Sequence, residues 1–138
     1  MALSDADRLE IVRLTALYSW ALDVTRDAAA VAATFTEDGL FVGATGTASP
    51  GRAELMSHLP RTRERWAQRA PLRHWTSNHV IEGDGDEATH TCYILLLALE
   101  EGGPRVDRTG LYRDRLQRVE GRWLFAERHV SIDQYPRF

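Results

Sequence analysis

The chain of 138 residues contains no lysine, so all 17 of its basic residues are arginines. Without a lysine amine, Schiff-base catalysis by this chain is excluded. A P-loop is excluded on the same ground, because its phosphate-binding motif requires a lysine. Cysteine is almost missing too: Cys92 stands alone, so no disulfide can form within the chain. A lone cysteine is typical of proteins in a reducing compartment.

Long apolar runs and an excess of one charge are also missing. The longest strongly apolar run is YILLLALE, and a helix that spans a bilayer needs roughly 20 such residues. The first ten residues, MALSDADRLE, have neither the basic nor the apolar region of a signal peptide. A net charge of -3 and a pI near 5.9 lack the basic excess of nucleic-acid binders. We therefore expect a cytoplasmic protein that binds neither membrane nor nucleic acid.

What remains is an ordinary globular composition. Hydrophobic residues make up 43% of the chain and charged residues 27%, which is enough for one real core. No internal repeat, low-complexity tract or linker divides the sequence. A chain of this length is typical of one domain, which we expect to span residues 1–138.

The first helix has the clearest local pattern. Ser4 and Asp7 resemble a capping box, with Asp in place of the usual Glu. Apolar residues then recur at steps of three and four: Ile11, Leu14, Tyr18 and Leu22. On an ideal helix they lie within about 80° of one another, so Tyr18 should face the core.

The remaining elements follow from turn and breaker residues. We expect Thr25 to cap a short second helix, residues 39–43 to form a strand, and Pro60 to break or kink a helical segment over 52–69 near Leu59. The rest is rich in aromatic and β-branched residues and is divided by the turn strings DGD, EGGP and EG. Helices followed by an antiparallel meander predict an α+β fold, with helices on one face of a curved sheet and a pocket between the two layers.

Several strings, taken in order, resemble the SnoaL-like, scytalone-dehydratase-like branch of the nuclear transport factor 2-like superfamily. These strings are YSWALD, LF after TFTEDG, RHWTSNHVIEGDGDEAT, GLYRDRLQRVEGRW and ERHVSID, and they cover nearly the whole chain. The resemblance implies a cone-like, strongly curved, mostly antiparallel sheet around a pocket, closed by N-terminal helices as in the cystatin-like α+β barrel. It also implies a homo-oligomer.

Three residues are candidates for catalysis: Tyr18, Asp23 and His74. Burial of a phenol requires a hydrogen-bond partner, which either the backbone or a substrate would supply. Asp23 lies where the first helix is ending, so it either caps the next helix or orients a histidine. His74 shares a strand face with Thr76 and Asn78, and that polar face lies either in solvent or inside the pocket. The resemblance implies the pocket, with Tyr18 as acid, His74 as base and Asp23 holding His74.

Four further residues are candidates for substrate contacts. Asn78 would orient the substrate from the face that carries His74, while Trp66 and Trp75 would be pocket or interface aromatics. Arg128 would bind a carboxylate or oxyanion, although a structural ion pair between Arg128 and Asp114 explains the same residues.

We expect no metal and no cofactor. Strict alternation along the strand places His79 on the face opposite His74, and the remaining histidines lie in other segments. The sequence contains neither HExxH, nor His-x-His, nor a pair of cysteines. Cys92 has no neighbour in sequence that would activate it, so we interpret it as a small buried residue.

Taken with these residues, the resemblance implies a lyase that needs no cofactor, most simply a dehydratase acting on an apolar cyclic substrate of polyketide, steroid or terpenoid type. Isomerisation and aldol-type cyclisation begin with the same proton removal and are the nearest alternatives. In the ketosteroid isomerases of the superfamily, the base is an aspartate near the end of the first strand, where this chain has Gly43. A binding or assembly module that uses the same cone is the alternative from another class.

Overall fold

The computed structural model describes residues 1–67 and 70–134, without the side chains of residues 61–63 and 65–67. Its helices are α1 (Asp5–Trp20), a π-helical turn (Ala21–Thr25), α2 (Ala28–Ala32) and α3 (Gly51–Ala67). Its strands are β1 (Phe35–Val42), β2 (Ala48–Pro50), β3 (Leu72–Asp84), β4 (Glu87–Glu100), β5 (Gly103–Val119) and β6 (Arg122–Ile132). Among the described residues, no helix combines the length and the hydrophobicity needed to cross a membrane.

The six strands form one mixed sheet in the order β2-β1-β6-β5-β4-β3. The pairs from β3 to β6 are antiparallel hairpins, whereas β1 lies parallel to β6. The predicted α+β class is confirmed. The sheet is not closed on itself, since β2 and β3 each pair with only one of the described strands. The long strands β3 to β5 curve around the helices without joining β2.

Helix α1 forms as its sequence predicts. Ser4 is the N-cap, and its side chain and that of Asp7 form the reciprocal bonds of a capping box. Ile11, Leu14 and Tyr18 are buried against the sheet. The stripe therefore places Tyr18 in the core between α1 and the strands.

The expected cap of α2 is wrong, and α3 is not broken at Pro60. Asp27, not Thr25, caps α2, since its Oδ1 accepts hydrogen bonds from the backbone N–H groups of Ala29 and Ala30. Thr25 is instead the last residue of the π-helical turn. Helix α3 continues through Pro60. A proline removes one backbone hydrogen bond from a helix, and the remaining bonds of a long helix can hold the segment together.

A bulge in β3 decides which side chains face the helices. Asn78 adopts a positive φ of 57°, and the pairing with β4 shifts between Ser77 and Val80. His74 faces inward before the bulge, and His79 faces inward after it, where it contacts the buried His90. The expectation that these two histidines occupy opposite faces is therefore wrong, because the bulge adds one residue and reverses the alternation.

Substitution of Gly110 tests the close approach of β5 and β6. A Cβ at this position would lie 2.1 Å from the backbone oxygen of Ser131, so one of the two strands must shift. We expect Gly110→Ala to lower the free energy of unfolding by about 1–3 kcal/mol in urea titrations. Gly102→Ala is the matched control, since a Cβ there meets nothing within 4 Å. Equal stability of the two variants would contradict this register.

Candidate active site

A pocket of about 420 Å³ lies between the helices and the inner face of the sheet. Most of its lining is apolar and comes from several elements. Apolar lining residues include Ala21, Leu22, Val31, Phe41, Leu59, Leu72, Ile94, Leu96, Val130 and Ile132. A volume of this size falls within the range of roughly 300–1,000 Å³ that small-molecule sites occupy. Tyr18, Asp23 and His74 all line this same pocket.

The π-helical turn after α1 directs Asp23. A π-turn is wider than an α-turn, so the direction of Asp23 departs from that of an ideal α-helix. The turn ends at Arg26, whose φ of 52° is left-handed and whose N–H donates to the carbonyl of Ala21. Arg73 of β3 donates to the backbone oxygen of Asp23 at 3.4 Å, which ties the turn to the strand. The chain therefore bends at the point where the apolar stripe ends.

Asp23 binds His74 through both carboxylate oxygens. Oδ2 accepts from the backbone N–H of His74 at 2.6 Å, and Oδ1 lies 2.7 Å from its Nδ1. Both side chains are only 7% exposed, which strengthens a charge-assisted hydrogen bond. Because an ionised carboxylate only accepts, Nδ1 carries the proton, and Nε2 has the lone pair in the neutral imidazole. Asp23 thus sets both the tautomer and the orientation of His74.

Tyr18 lies at the inner end of the same pocket. Its ring makes edge contacts with the rings of Phe35, Tyr112 and Phe125, with centroids 6.0–6.1 Å apart. Burial raises the pKa of Tyr18 to about 12, although the nearby Arg128 acts in the opposite direction. Tyr18 is therefore a neutral phenol at physiological pH and can donate its O–H.

Arg128 lies outside the pocket, in a fully buried ion pair with Asp114. Its Nε and Nη2 donate to the two carboxylate oxygens of Asp114, each at 2.8 Å. The guanidinium carbon lies 3.9–4.5 Å from the ring centroids of Tyr18, Tyr112 and Phe125. Within the described part of the chain, Nη1 has no hydrogen-bond partner, and the guanidinium lies over aromatic faces that attract its positive charge. The structure thus favours the structural ion pair over a substrate contact.

Two other candidate substrate contacts, Asn78 and Trp75, do not line the pocket. Asn78 is exposed and occupies the bulge, where it does not line the pocket. Trp75 is 61% exposed on the outer face of β3. The side chain of Trp66 lies outside the described residues. Strand alternation registers neither the bulge that turns Asn78 outward nor the depth of the pocket, and the exposure of Trp75 fits the interface alternative.

Three basic residues in the pocket lining were not found from the sequence: Arg26, His58 and Arg108. They come from the end of the π-turn, from α3 and from β5, so no sequence spacing links them. Arg108 also bonds the adjacent Asp107 through Nε at 2.7 Å. The two arginines bring positive charge to the lining of the pocket, which would favour an oxygen-rich or anionic substituent on a ligand.

Cys92 is buried on β4, close to His90 and to the buried ion pair. Burial raises the pKa of its thiol to about 12, with Asp114 adding to the increase. A thiol of this kind is protonated and a poor nucleophile. The structure therefore places Cys92 in the core, away from the lining of the pocket.

Residues 5–129 match the model of the SnoaL-like domain family. None of the curated proteins compared with this chain matches it. Among solved structures, ActVI-ORFA from Streptomyces coelicolor is 29% identical and has a TM-score of 0.84, with the alignment covering 96% of this chain and 100% of that one.

Two further structures are similar over most of their length. A protein from Catenulispora acidiphila in complex with S-DNPA is 28% identical, with a TM-score of 0.83 and coverage of 94% of this chain and 96% of that one. A variant of Rv3472 from Mycobacterium tuberculosis, a protein of unknown function, is 30% identical and has a TM-score of 0.82. The alignment covers 94% of this chain and 73% of that one. Neighbours of the same fold are described as cystatin-like and NTF2-like, in agreement with the α+β assignment.

Replacement of Asp114 tests the buried ion pair. We expect Asp114→Asn to lower the free energy of unfolding at pH 7 by about 3–5 kcal/mol, because it leaves the Arg128 charge buried without its partner. The control Glu127→Gln breaks a partly exposed ion pair with Arg115 and should lower the free energy of unfolding by at most about 1 kcal/mol. Urea denaturation of both variants measures the difference.

The loss of stability caused by Asp114→Asn should depend on pH. Burial opposes ionisation of Asp114, but Arg128 and His90 outweigh it and hold its pKa below the ordinary value of 3.8. The ion pair therefore contributes its full stability above pH 3.8 and loses it as the pH falls through the lower folded-state pKa. The gap in stability between wild type and Asp114→Asn should narrow below about pH 4. A gap that stays constant down to pH 2 would contradict the assignment.

Proposed function

Because this chain belongs to the family of SnoaL-like domains, we propose that it is a cofactor-independent lyase, a dehydratase that acts by acid–base catalysis on an apolar cyclic substrate. One observation carries the proposal: the Asp23–His74 pair and the neutral phenol of Tyr18 line one apolar pocket. The family includes polyketide cyclases and dehydratases, so a polyketide-type ring is the substrate class that we propose.

The lining of the pocket supports a cyclic substrate with few polar groups. Apolar side chains from α2, α3 and the sheet surround a volume of about 420 Å³, which suits a ligand of a few fused rings. Arg26 and Arg108 would meet oxygen substituents at one part of this wall. Gly43 also lines the pocket, and it has no carboxylate with which to act as the base of a ketosteroid isomerase.

His74 is the proposed general base. Its Nδ1 is committed to Asp23, so Nε2 is the atom that would remove a proton from the carbon next to a substrate carbonyl. The imidazolium that forms would be stabilised by the ionised carboxylate at 2.7 Å. Asp23 would act as a positioning residue.

Tyr18 is the proposed hydrogen-bond donor to the carbonyl oxygen, on which negative charge develops as the proton leaves. Its raised pKa, about 12, favours hydrogen bonding over full proton transfer. The resulting enolate expels the β-hydroxyl group, which takes the proton back from His74 and departs as water. One C–H bond and one C–O bond break, one C=C bond forms, and the enzyme returns to its starting state.

Activity of three variants tests this assignment. We expect His74→Ala and Tyr18→Phe each to lower kcat by about 10²–10⁴-fold on a panel of hydroxylated polycyclic ketones. Asp23→Asn should also lower kcat with little change in KM, because it removes the group that sets the tautomer of His74. His129→Gln is the matched control, since this half-exposed histidine pairs with Glu127 away from the pocket.

The product distinguishes the related reactions. A dehydratase product is lighter than its substrate by one water, whereas an isomerase product has the same mass. Unchanged turnover in both His74→Ala and Tyr18→Phe would rule out the assignment. Tight binding of the ketones without any turnover by the wild type would support a binding module instead.

A homo-oligomer is part of the same proposal. The outer face of β3 and β4 exposes three large apolar side chains, with Trp75 61%, Val80 60% and Tyr93 56% exposed. Such a contiguous apolar surface is typical of an interface. We expect the wild type to be a dimer or larger in light scattering, and Trp75→Glu to shift it toward the monomer. Arg13→Glu, an exposed change on α1 away from this face, should leave the mass unchanged; a wild-type monomer would contradict the proposal.

A further inference from the structure

A second cluster of chemically active side chains lies beneath α1, apart from the pocket. His90 and Cys92 are both buried on the inner face of β4, two residues apart. His79, half-buried on β3, completes the group, and one donor atom from each residue lies within 4.8 Å of the other two. None of the three residues lines the pocket that contains His74.

We propose that His79, His90 and Cys92 form a binding site for a zinc-type cation. Two imidazole nitrogens and one thiolate sulfur form a donor set that suits Zn²⁺, with water as the fourth ligand of a tetrahedron. The expectation of no metal depended on strict alternation along β3, which would direct His79 away. The bulge at Asn78 removes that premise, because it turns His79 to the side of His90.

A buried carboxylate determines which ring nitrogen of His90 faces the proposed site. Nδ1 of His90 lies 2.8 Å from Oδ2 of Asp114, and both side chains are fully buried. Since an ionised carboxylate only accepts, Nδ1 carries the proton and Nε2 presents a lone pair toward His79. A metal-bound histidine typically donates its other N–H to a carboxylate in this way. Arg128 in turn holds Asp114 in its charged form.

The distance between the two imidazole nitrogens requires only a small adjustment. His79 Nδ1 and His90 Nε2 are 2.9 Å apart and share one proton, with the two rings stacked at 11°. Zinc bonds of about 2.0–2.1 Å in a tetrahedron place two nitrogens about 3.3 Å apart. His79 can supply this shift of a few tenths of an ångström, because its side chain is half-buried and lies next to the bulge.

The binding reaction is balanced in protons. The cation takes the place of the proton between the two imidazoles, and His79 regains that proton from water at its Nε2 atom. The Cys92 thiol releases its proton to solvent as the thiolate binds the metal. One proton leaves the protein for each cation bound, and no oxidation or reduction is involved.

Binding of Zn²⁺ and Co²⁺ to chelator-stripped protein tests the site. We expect one Zn²⁺ per chain in competition with a chromophoric chelator. Co²⁺ should give thiolate-to-metal charge-transfer absorption and the intense visible bands of a tetrahedral centre. His79→Ala should weaken Zn²⁺ binding by more than the roughly 10–100-fold loss that follows removal of an outer partner. His129→Ala, a change at a histidine outside the cluster, should bind as the wild type does.

Cys92→Ala provides the second test. This variant should lose the charge-transfer band, because only the thiolate produces it, while its fold is checked by circular dichroism. Should Cys92→Ala fail to fold, the cobalt spectra of wild type and His79→Ala decide the question alone. The proposal would be overturned if the wild type bound Zn²⁺ no more tightly than His79→Ala does. A wild-type Co²⁺ spectrum without thiolate absorption would also overturn it.

Discussion

A guanidinium removed from water lies at the centre of this fold. Arg128 is fully buried, and its charge is neutralised by Asp114 on the neighbouring strand and by three aromatic faces. Moving these two charges out of water costs free energy, which their mutual attraction and their other contacts must offset. One of those rings belongs to Tyr18, and Asp114 also bonds His90. The positions of the phenol and of the histidine cluster therefore both depend on this single ion pair.

The bulge in β3 has an equally wide effect. A regular strand would direct His74 and His79 to opposite faces, and only one of them would meet the interior. With Asn78 in a left-handed conformation, both rings turn inward at different depths. His74 joins Asp23 beside the pocket, and His79 joins His90 beneath α1. One extra residue thus creates two separate groups of polar side chains on one strand.

Local patterns predicted the elements well and the geometry between them less well. The capping box at Ser4, the inward stripe through Tyr18 and the turns around Gly85 and Gly121 all follow from interactions within a few residues. The direction of the Asp23 side chain does not follow from such local interactions, because a π-turn and a residue 51 positions away, on β3, determine it jointly. No sequence pattern indicated that Arg26 and Arg108 line the pocket, since separate elements bring them there.

The sequence by itself determined the α+β class, the burial of Tyr18 and the resemblance to SnoaL-like domains, because periodicity, caps and turn residues act locally. Tertiary structure alone decided that the sheet stays open, that Arg128 pairs with Asp114 instead of lining the pocket, and that His79 faces inward. These outcomes depend on register and bulges, in which one added residue reverses every later side chain of a strand. No local pattern encodes that reversal. No spacing predicts the contact between Asp23 and His74 either, which the resemblance implied and the folded chain shows.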